Sequence, residues 1–373
     1  MTPPTPSTET YLHPPAVLIP PGAAYAASTR AFQGIPSLAC GPDGRLFAIW
    51  YGGKTPDEDR NNYVMLVTSG DGGRTWSDEI LVVDPDGEGP VRAYDPQVWL
   101  APDGRLWLFW AQGMLSPGTP CRCGVWTMVC DEPTAASLRW SAPRRLCDGV
   151  MMGKPLTLSD GAWVLPVSFW HKRERGSAAL LVSSDRGATW QERGAADVPP
   201  EVRVFDEHMI VERRDGTLWM LVRTTTGIHE GVSADGGRTW SPLQPSPIPH
   251  VCSRFFIRRL ASGRLLLVRH DPGEGRLARP GSWGDRSHLT AYISEDDGRT
   301  WRGRLLLDER LGVSYPDGDQ TADGTIHLIY DYLRVKGQIL LAVFREEDVL
   351  GAPRGPAPAR LRQLVNQAGT AGA

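Results

Sequence analysis

The segment Ser69-Gly-Asp-Gly-Gly-Arg-Thr-Trp76 decides the fold, because three further copies of its pattern, Ser-x-Asp-x-Gly-x-Thr-Trp, recur along the chain. The other copies cover residues 183–190, 233–240 and 294–301. In such a segment the Asp and Ser side chains bond nearby backbone amides, the Gly supplies a positive φ and the Trp packs beneath the turn. The pattern therefore predicts a hairpin that is repeated once per structural unit.

The spacing of these copies indicates how many units the chain contains. The first Ser positions lie 114, 50 and 61 residues apart, and 114 is close to two of the shorter periods. A degenerate copy is therefore expected near residue 130, and residues 130–141, which end in Trp140-Ser141, fit this expectation.

A second repeat consists of turn signals ahead of apolar strands, at Asp43-Gly44, Asp103-Gly104, Asp160-Gly161, Asp215-Gly216, Ser262-Gly263 and Asp323-Gly324. Six units of short strands predict an all-β fold, a six-bladed β-propeller.

The repeats also indicate the domain organisation. A chain of 373 residues would ordinarily suggest two or three domains of ~150 residues. The repeats instead predict one closed propeller domain over residues 29–350, with an N-terminal extension at residues 1–28. Residues 351–373, which begin with a Gly-, Ala- and Pro-rich stretch, are expected to form a flexible C-terminal tail.

Composition narrows the class of partner. The net charge of −3 gives no electrostatic reason to expect nucleic acid or an anionic membrane as a partner. The sequence shows neither a secretory signal nor a membrane-spanning run, so we expect a cytoplasmic protein. Its six cysteines do not have the spacing of a zinc site or a disulfide scaffold, and no metal or cofactor is expected. The oligomeric state is left open.

The innermost strands carry polar residues at one shared position. In a propeller the first strand of each blade lines the central channel, so residues equally far from the six turns converge at one end of the channel, here called the channel mouth. In blades two, four, five and six this position holds Asp95, Glu207, Arg254 and Tyr315, while blades one and three have Gln33 and Lys154 nearby. Such groups either neutralise one another around a wet channel or form a reactive site. Because a Tyr with an ordinary pKa of ~10 needs a base to act as a nucleophile, Glu207 is the candidate base.

The chain resembles the sialidase (neuraminidase) superfamily, including its BNR-repeat proteins, in three features. These are the four Ser-x-Asp-x-Gly-x-Thr-Trp segments, called Asp boxes, the opening Phe32-Gln33-Gly34-Ile35-Pro36-Ser37-Leu38, and the six-blade spacing. The resemblance covers about residues 30 to 345. It implies a retaining exo-glycosidase that removes a terminal sialic acid with a Tyr nucleophile assisted by a Glu, outside the usual two-carboxylate scheme. It further implies an Asp acid/base on a mobile loop and three Arg that hold the substrate carboxylate.

Four residues match the family's positions one by one. By this resemblance Tyr315, in Gly-Val-Ser-Tyr, is the nucleophile and Glu207, in Asp-Glu-His, is the assisting Glu. Arg223, in Met-Leu-Val-Arg, and Arg286, in Asp-Arg-Ser-His, correspond to two of the three Arg. A carbohydrate substrate follows from the same resemblance.

The chain departs from the family at two places. Sialidases begin with Phe-Arg-Ile-Pro, whereas this chain has the neutral Gln33 and an added Gly, so one charge-assisted contact is lost. Arg254 and Lys154 are candidates to compensate, and we count both, with Gln33 and Asp95, among the expected substrate-binding residues. The loop over residues 54–60, where the family has its catalytic Asp, holds three adjacent carboxylates. Asp59 and then Asp57 are the acid/base candidates with Asp95 in reserve, and the alternative is an ordinary exposed acidic loop.

Three functions remain open on these grounds. The first is a sialidase-like exo-glycosidase acting on a terminal acidic sugar. The second is a sialidase-fold glycosidase or lyase acting on a different sugar, which the loss of the first Arg favours. The third is a non-catalytic glycan-binding propeller, which the presence of a Tyr, a Glu and two Arg at family positions argues against.

Overall fold

The computed structural model describes residues 10–87, 89–114, 122–170, 173–279, 282–351 and 358–369. In this part of the chain the strands form six antiparallel sheets, one for each predicted unit. The innermost strands of the first and last sheets contact each other, which closes the ring. The predicted all-β, six-bladed β-propeller is confirmed.

The first three blades occupy the N-terminal half of the chain. Blade one comprises β1 (Ala16–Leu18), β2 (Phe32–Cys40), β3 (Leu46–Gly53), β4 (Tyr63–Ser69) and β5 (Leu81–Asp84), and β1 pairs with β5 at the outer edge. Blade two comprises β6 (Val91–Leu100), β7 (Leu106–Met114), β8 (Arg122–Cys130) and β9 (Arg144–Asp148). Blade three comprises β10 (Leu156–Thr157), β11 (Trp163–Ser168), β12 (Ala178–Ser183) and β13 (Gln191–Ala196).

The last three blades follow the same plan. Blade four comprises β14 (His208–Glu212), β15 (Leu218–Thr224), β16 (Gly227–Ser233) and β17 (Gln244–Pro245). Blade five comprises β18 (Phe256–Arg259), β19 (Leu265–His270), β20 (Leu289–Ser294) and β21 (Arg302–Asp308). Blade six comprises β22 (Val313–Gln320), β23 (Ile326–Tyr332), β24 (Gln338–Phe344) and β25 (Arg360–Gln367).

Helices are short and lie between or ahead of strands. The α-helix α1 (Glu346–Leu350) lies between β24 and β25, and short 3₁₀ turns span Thr10–Leu12, Ala23–Tyr25, Ala27–Thr29 and Glu274–Arg276. Within the described residues no helix has the length and apolar character needed to cross a membrane. The same residues contain no group of three or more His, Cys, Asp or Glu arranged to hold a metal ion.

The six predicted turns each connect the innermost strand of a blade to the strand beside it. The six glycines of these turns all have a φ between 82° and 86°. An L-residue with a side chain rarely adopts this conformation, which explains the repeated Gly at this position. The second sequence repeat is therefore confirmed as a structural repeat.

The four Asp boxes connect β4 to β5 in blade one, β12 to β13 in blade three, β16 to β17 in blade four and β20 to β21 in blade five. In the box of blade three, Ser183 Oγ accepts a hydrogen bond from the backbone N–H of Gly187 at 2.8 Å and donates one to Asp185 at 2.7 Å. The backbone N–H and the hydroxyl of Thr189 both donate to the Asp185 carboxylate, at 2.8 and 2.6 Å. The box thus satisfies its own backbone donors within one turn.

Blade two contains the expected degenerate copy. Ser141 Oγ accepts from the backbone N–H of Val129 at 3.0 Å, as Ser77 does from Thr68 and Ser241 from Val232, also at 3.0 Å. Trp140 therefore lies at the position that the box Trp has in the other blades. The long interval between the first two boxes is explained by this blade.

The box glycines and Trp residues join each blade to the one before it. Gly187 lies against Trp107 of blade two, and a Cβ at this position would come within 2.4 Å of the Trp107 ring. The box residue Trp190 packs edge-on against the same ring, with centroids 6.3 Å apart. Gly298 lies in the same way against Trp219 of blade four. The motif thus shapes the apolar contact between blades as well as a turn.

The C-terminal segment differs from the sequence prediction. Residues 360–367 form β25, the outer strand of blade six, and pair with β24. Asn366 also accepts a hydrogen bond from Arg30 at 2.8 Å, which ties this strand to blade one. The predicted flexible tail is wrong for these residues, because the Gly- and Pro-rich composition ends near residue 358 and a strand-forming segment follows. Residues 1–9, 352–357 and 370–373, which belong to the predicted extension and tail, lie outside the described residues.

Replacing Ser183 with Ala should lower the free energy of unfolding by about 1–3 kcal/mol, because the buried N–H of Gly187 loses its acceptor. The adjacent Ser184 is exposed, and Ser184→Ala should change stability by no more than about 0.5 kcal/mol. Urea denaturation of the two variants measures the difference. Equal stabilities would contradict a structural role for the box serine.

Candidate active site

Three innermost strands carry the same β-bulge at the position that the sequence singled out. Ile35, Asp95 and Tyr315 have φ values of 56°, 48° and 52°, and each precedes a proline. The strand register shifts at each of these points. A bulge redirects the side chain, and a positive φ at a residue other than Gly costs about 1–3 kcal/mol. Backbone strain is therefore concentrated at the channel mouth.

Tyr315, Glu207 and Arg223 meet in a buried, hydrogen-bonded group. The Tyr315 hydroxyl donates to Glu207 Oε1 at 3.1 Å. Arg223 Nη1 donates to the same carboxylate oxygen at 2.8 Å and to the Tyr315 hydroxyl at 3.0 Å. The backbone N–H of Arg223 also donates to the carbonyl of Glu207 at 2.8 Å, which fixes the two residues relative to each other.

The burial and charges of this group favour a neutral phenol. Burial, and then the charge of Glu207, raises the pKa of Tyr315. Burial opposes the charge of Arg223, but Glu207 and Tyr315 outweigh it and raise the pKa of Arg223. Glu207 Oε2 is buried and has no hydrogen-bond partner among the described residues. Tyr315 is therefore held beside a base that can take its proton.

Arg286 provides a cation on the other side of Tyr315. Its guanidinium lies 5.8 Å from the centroid of the Tyr315 ring, and its Nη2 donates to the carbonyl of Cys252 at 3.0 Å. Burial lowers the pKa of Arg286, with Tyr315 acting in the opposite direction. Within the described residues no carboxylate pairs with this side chain, which leaves its charge available for an anionic ligand.

Asp95 is an acid that keeps its proton at neutral pH. Burial raises the pKa of Asp95 to about 8, with Glu58 and Glu207 acting in the same direction and Arg92 opposing them. The side chain is buried at the bulge of β6. The side chain is a carboxylic acid suited to donating a proton near pH 7.

The loop over residues 54–60 presents a different carboxylate from the two that the sequence favoured. Asp59 accepts hydrogen bonds from Thr55 Oγ1 at 2.6 Å and from the backbone N–H of Asn61 at 2.8 Å, so it caps its own loop. Asp57 is exposed. Glu58 instead forms an ion pair with Arg334 next to Tyr315. The geometry thus brings Glu58 nearest to Tyr315, which could not be read from the sequence of an irregular loop, and the acid/base role of Asp59 or Asp57 stays a prediction.

Lys154 and Arg254 bind a carboxylate deeper in the channel and do not contact Tyr315. Asp317 Oδ2 accepts from Lys154 Nζ at 2.6 Å, and Asp317 Oδ1 accepts from Arg254 Nη2 at 3.1 Å. Burial lowers the pKa of Lys154, and Asp317 opposes that shift. Both cations pair with a buried counter-ion that the register argument did not include, and their role in substrate binding stays a prediction.

Gln33 also faces away from the site. Its Oε1 accepts from Trp50 Nε1 at 3.1 Å, and its Nε2 donates to the carbonyl of Gly337 at 3.0 Å. The side chain therefore joins blade one to blade six. The predicted contact between Gln33 and the substrate is wrong, because the residue before the added Gly points to the opposite face of the strand.

Sequence reasoning missed two side chains at the site, Arg334 and Glu58. The guanidinium carbon of Arg334 lies 4.6 Å from the centroid of the Tyr315 ring, nearer than that of Arg286. Arg334 belongs to the loop between β23 and β24, outside every repeat register. The one signal in the sequence was the added Gly34, because a residue without a side chain leaves room beside the strand for another side chain.

The chain is similar to known proteins over most of its length. Residues 44–328 match the family model described as the BNR repeat-like domain. The chain belongs to this family. It is a BNR-repeat protein of the sialidase superfamily, and the resemblance drawn from the Asp boxes is confirmed.

Three relatives illustrate the similarity. A sialidase from Bacteroides fragilis is 25% identical over 345 residues, which cover 82% of this chain and 60% of that protein. A sialidase from Micromonospora viridifaciens is 25% identical over 331 residues, covering 80% and 49%. The chain thus spans about half the length of these relatives. The leech intramolecular trans-sialidase, solved with 2,7-anhydro-Neu5Ac, aligns with a TM-score of 0.68 at 14% identity over 91% of this chain and 71% of that one, and it shows the fold alone.

Asp95→Asn should make the protein less sensitive to alkaline pH. The pKa of Asp95 rises from 3.8 to about 8 on folding, so its contribution to stability is present below pH ~4 and is lost as the pH rises through ~8. Asn carries no charge, so the stability of the variant relative to the native protein should increase with pH by up to about 1.4 kcal/mol per unit between these values. Denaturation curves from pH 4 to 9 measure this.

The exposed Asp131 of the same blade supplies the control. Asp131→Asn should follow the native protein across the pH range. A stability difference between Asp95→Asn and the native protein that does not change with pH would show that Asp95 has an ordinary pKa.

Proposed function

We propose that this protein is a retaining exo-glycosidase that hydrolyses a terminal, acidic, sialic-acid-like sugar with Tyr315 as the nucleophile. The observation that carries the proposal is the hydrogen bond of 3.1 Å between the Tyr315 hydroxyl and Glu207, which Arg223 also contacts. A buried phenol beside a carboxylate has the arrangement of an activated nucleophile. Similarity to sialidases supports the assignment of the reaction class.

An acidic sugar explains why the nucleophile is a Tyr. A carboxylate nucleophile would be repelled by a substrate carboxylate beside the reacting carbon, whereas a neutral phenol is not. Arg286, which has no carboxylate partner among the described residues, and Arg223 hold the substrate carboxylate. This binding places the anomeric carbon against the Tyr315 oxygen.

The reaction then proceeds in two displacements. In the first, the Tyr315 oxygen bonds to the anomeric carbon as the bond to the leaving oxygen breaks, and the phenolic proton passes to Glu207. Asp95, protonated below its pKa of about 8, gives its proton to the leaving oxygen. In the second, water attacks the same carbon as its bond to the Tyr315 oxygen breaks, the water gives a proton to Asp95, and Glu207 returns its proton to the Tyr315 oxygen. The configuration is retained.

A second candidate is the same chemistry on a different acidic sugar. Gln33 favours this candidate, because its side chain is hydrogen-bonded to Trp50 and Gly337. The family's first Arg therefore has no replacement at that position. A set of fluorogenic aryl glycosides that covers N-acetylneuraminic acid, uronic acids and deoxysugars separates the two candidates. Binding of a glycan without turnover of any glycoside would instead support the non-catalytic propeller.

On the best substrate of that set, Tyr315→Phe should lower kcat by at least about a thousandfold, since the variant lacks the attacking oxygen. Tyr332→Phe, on the neighbouring strand β23 of the same blade, is the control and should retain activity. Full activity of Tyr315→Phe would contradict the proposal.

The same assay tests the role of Asp95. Asp95→Asn should slow cleavage of a glycoside with an alkyl leaving group more than cleavage of an aryl glycoside, because an aryl oxide leaves without full protonation. Equal slowing of both substrates would show that Asp95 does not protonate the leaving oxygen.

A further inference from the structure

The space beside Gly34 is filled by another arginine. Gly34 directly precedes Ile35-Pro36, and so occupies the place of the Arg in the family's Phe-Arg-Ile-Pro. A Cβ at Gly34 would lie 2.9 Å from Asp331 Oδ2 and 3.0 Å from Arg334 Cγ. These distances are shorter than ordinary contacts, so only glycine leaves room for the stem of Arg334.

Asp331 holds Arg334 in this position. Asp331 Oδ2 lies 3.4 Å from Arg334 Nε and accepts the backbone N–H of Ile35 at 2.9 Å. Its other oxygen accepts the Ser314 hydroxyl at 2.6 Å. The carboxylate that orients Arg334 is thus fixed by the two bulged strands, β2 and β22.

The guanidinium of Arg334 is only partly satisfied by the described residues. Its Nη1 pairs with Glu58, and its Nη2 is buried without a hydrogen-bond partner among the described residues. It lies against the Tyr315 ring, on which Arg286 also converges. Cations this close repel one another unless anions accompany them. Glu58 supplies such an anion from a loop.

We propose that Arg334 is the third carboxylate-binding arginine of the site, and that Glu58 occupies it until a substrate carboxylate takes its place. The inference rests on the proposed function, since it assumes an acidic substrate at Tyr315. It assigns a specificity-determining role to a loop residue of blade six, which replaces an arginine of blade one. Neutral sugars offer no anion to exchange with Glu58, so the site selects carboxylated sugars.

Binding of a non-hydrolysable carboxylate tests the inference. The probe is 2-deoxy-2,3-dehydro-N-acetylneuraminic acid, with a 4,5-unsaturated glucuronic acid as the second probe, and isothermal calorimetry measures Kd. Arg334→Met should weaken binding of the tighter probe about 10- to 100-fold, the loss expected for hydrogen bonds to a charged group. Glu58→Gln should strengthen binding, because the competing anion is gone.

Two further variants separate position from charge. Gly34→Ala alters no charge but crowds the stem of Arg334, and should weaken binding by less than Arg334→Met does. Arg345→Met removes an exposed cation that pairs with Asp323 at the opposite end of blade six, and should leave Kd unchanged. Arg334→Lys keeps the charge and should retain part of the affinity. If Arg334→Met does not fold, Arg334→Lys takes its place in the comparison.

The outcomes distinguish this inference from the proposed function. If Arg223→Met weakens binding but the Arg334 variants behave like Arg345→Met, the role of Arg334 is overturned and the acidic-sugar site stands. If neither probe binds the native protein, or Arg223→Met has no effect, the proposed function itself fails. Weaker binding in Glu58→Gln, as large as in Arg334→Met, would overturn the exchange and indicate that Glu58 contacts the ligand.

Discussion

The buried carboxylate of Asp317 holds the centre of the propeller together, and the geometry of the site depends on it. It binds Lys154 of blade three, Arg254 of blade five, and the hydroxyl of Ser37 and backbone N–H of Leu38 in blade one, at 2.6 to 3.1 Å. One side chain of blade six therefore fixes three other blades. Removing it would leave Lys154 and Arg254 without their buried counter-ion, which typically costs about 3–5 kcal/mol. Tyr315 lies two residues earlier on the same strand, so this network also sets the position of the proposed nucleophile.

Above this network, strain and charge are arranged together. The bulges at Asp95 and Tyr315 turn both side chains toward the channel mouth at the expense of an unfavourable backbone conformation. Burial then raises the pKa of Asp95 and of Tyr315, which favours their neutral forms, while Glu207 is paired with Arg223. The proposed mechanism assigns these three residues separate roles, with Asp95 as proton donor, Glu207 as proton acceptor and Tyr315 as nucleophile.

The sequence predicted the features that repeat and missed those that do not. Asp boxes and Asp-Gly turns recur in register, so the six blades and the shared register of Tyr315 and Glu207 could be inferred from spacing, while Arg223 and Arg286 followed from the resemblance to sialidases. Lys154 and Arg254 share that register, but Asp317 binds both, and a residue's partner in a channel is not visible in its own strand. Arg334 and Glu58 lie on irregular loops, whose side-chain directions follow no period. The outer strand β25 was missed because a Gly- and Pro-rich stretch precedes it.

Trapping of a covalent intermediate tests the central claim most directly, namely that Tyr315 forms a bond to the sugar. A 3-fluoro glycosyl fluoride of the preferred sugar slows both displacements through the fluorine at C3, while its fluoride leaving group favours the first. The glycosyl-enzyme should therefore accumulate. Mass spectrometry of the digested protein should show the added fluoro-sugar on the peptide that contains Tyr315, and no addition in Tyr315→Phe. A glycosyl adduct on Glu207 or Asp95, or turnover of the substrate with inversion and no adduct at all, would contradict the account.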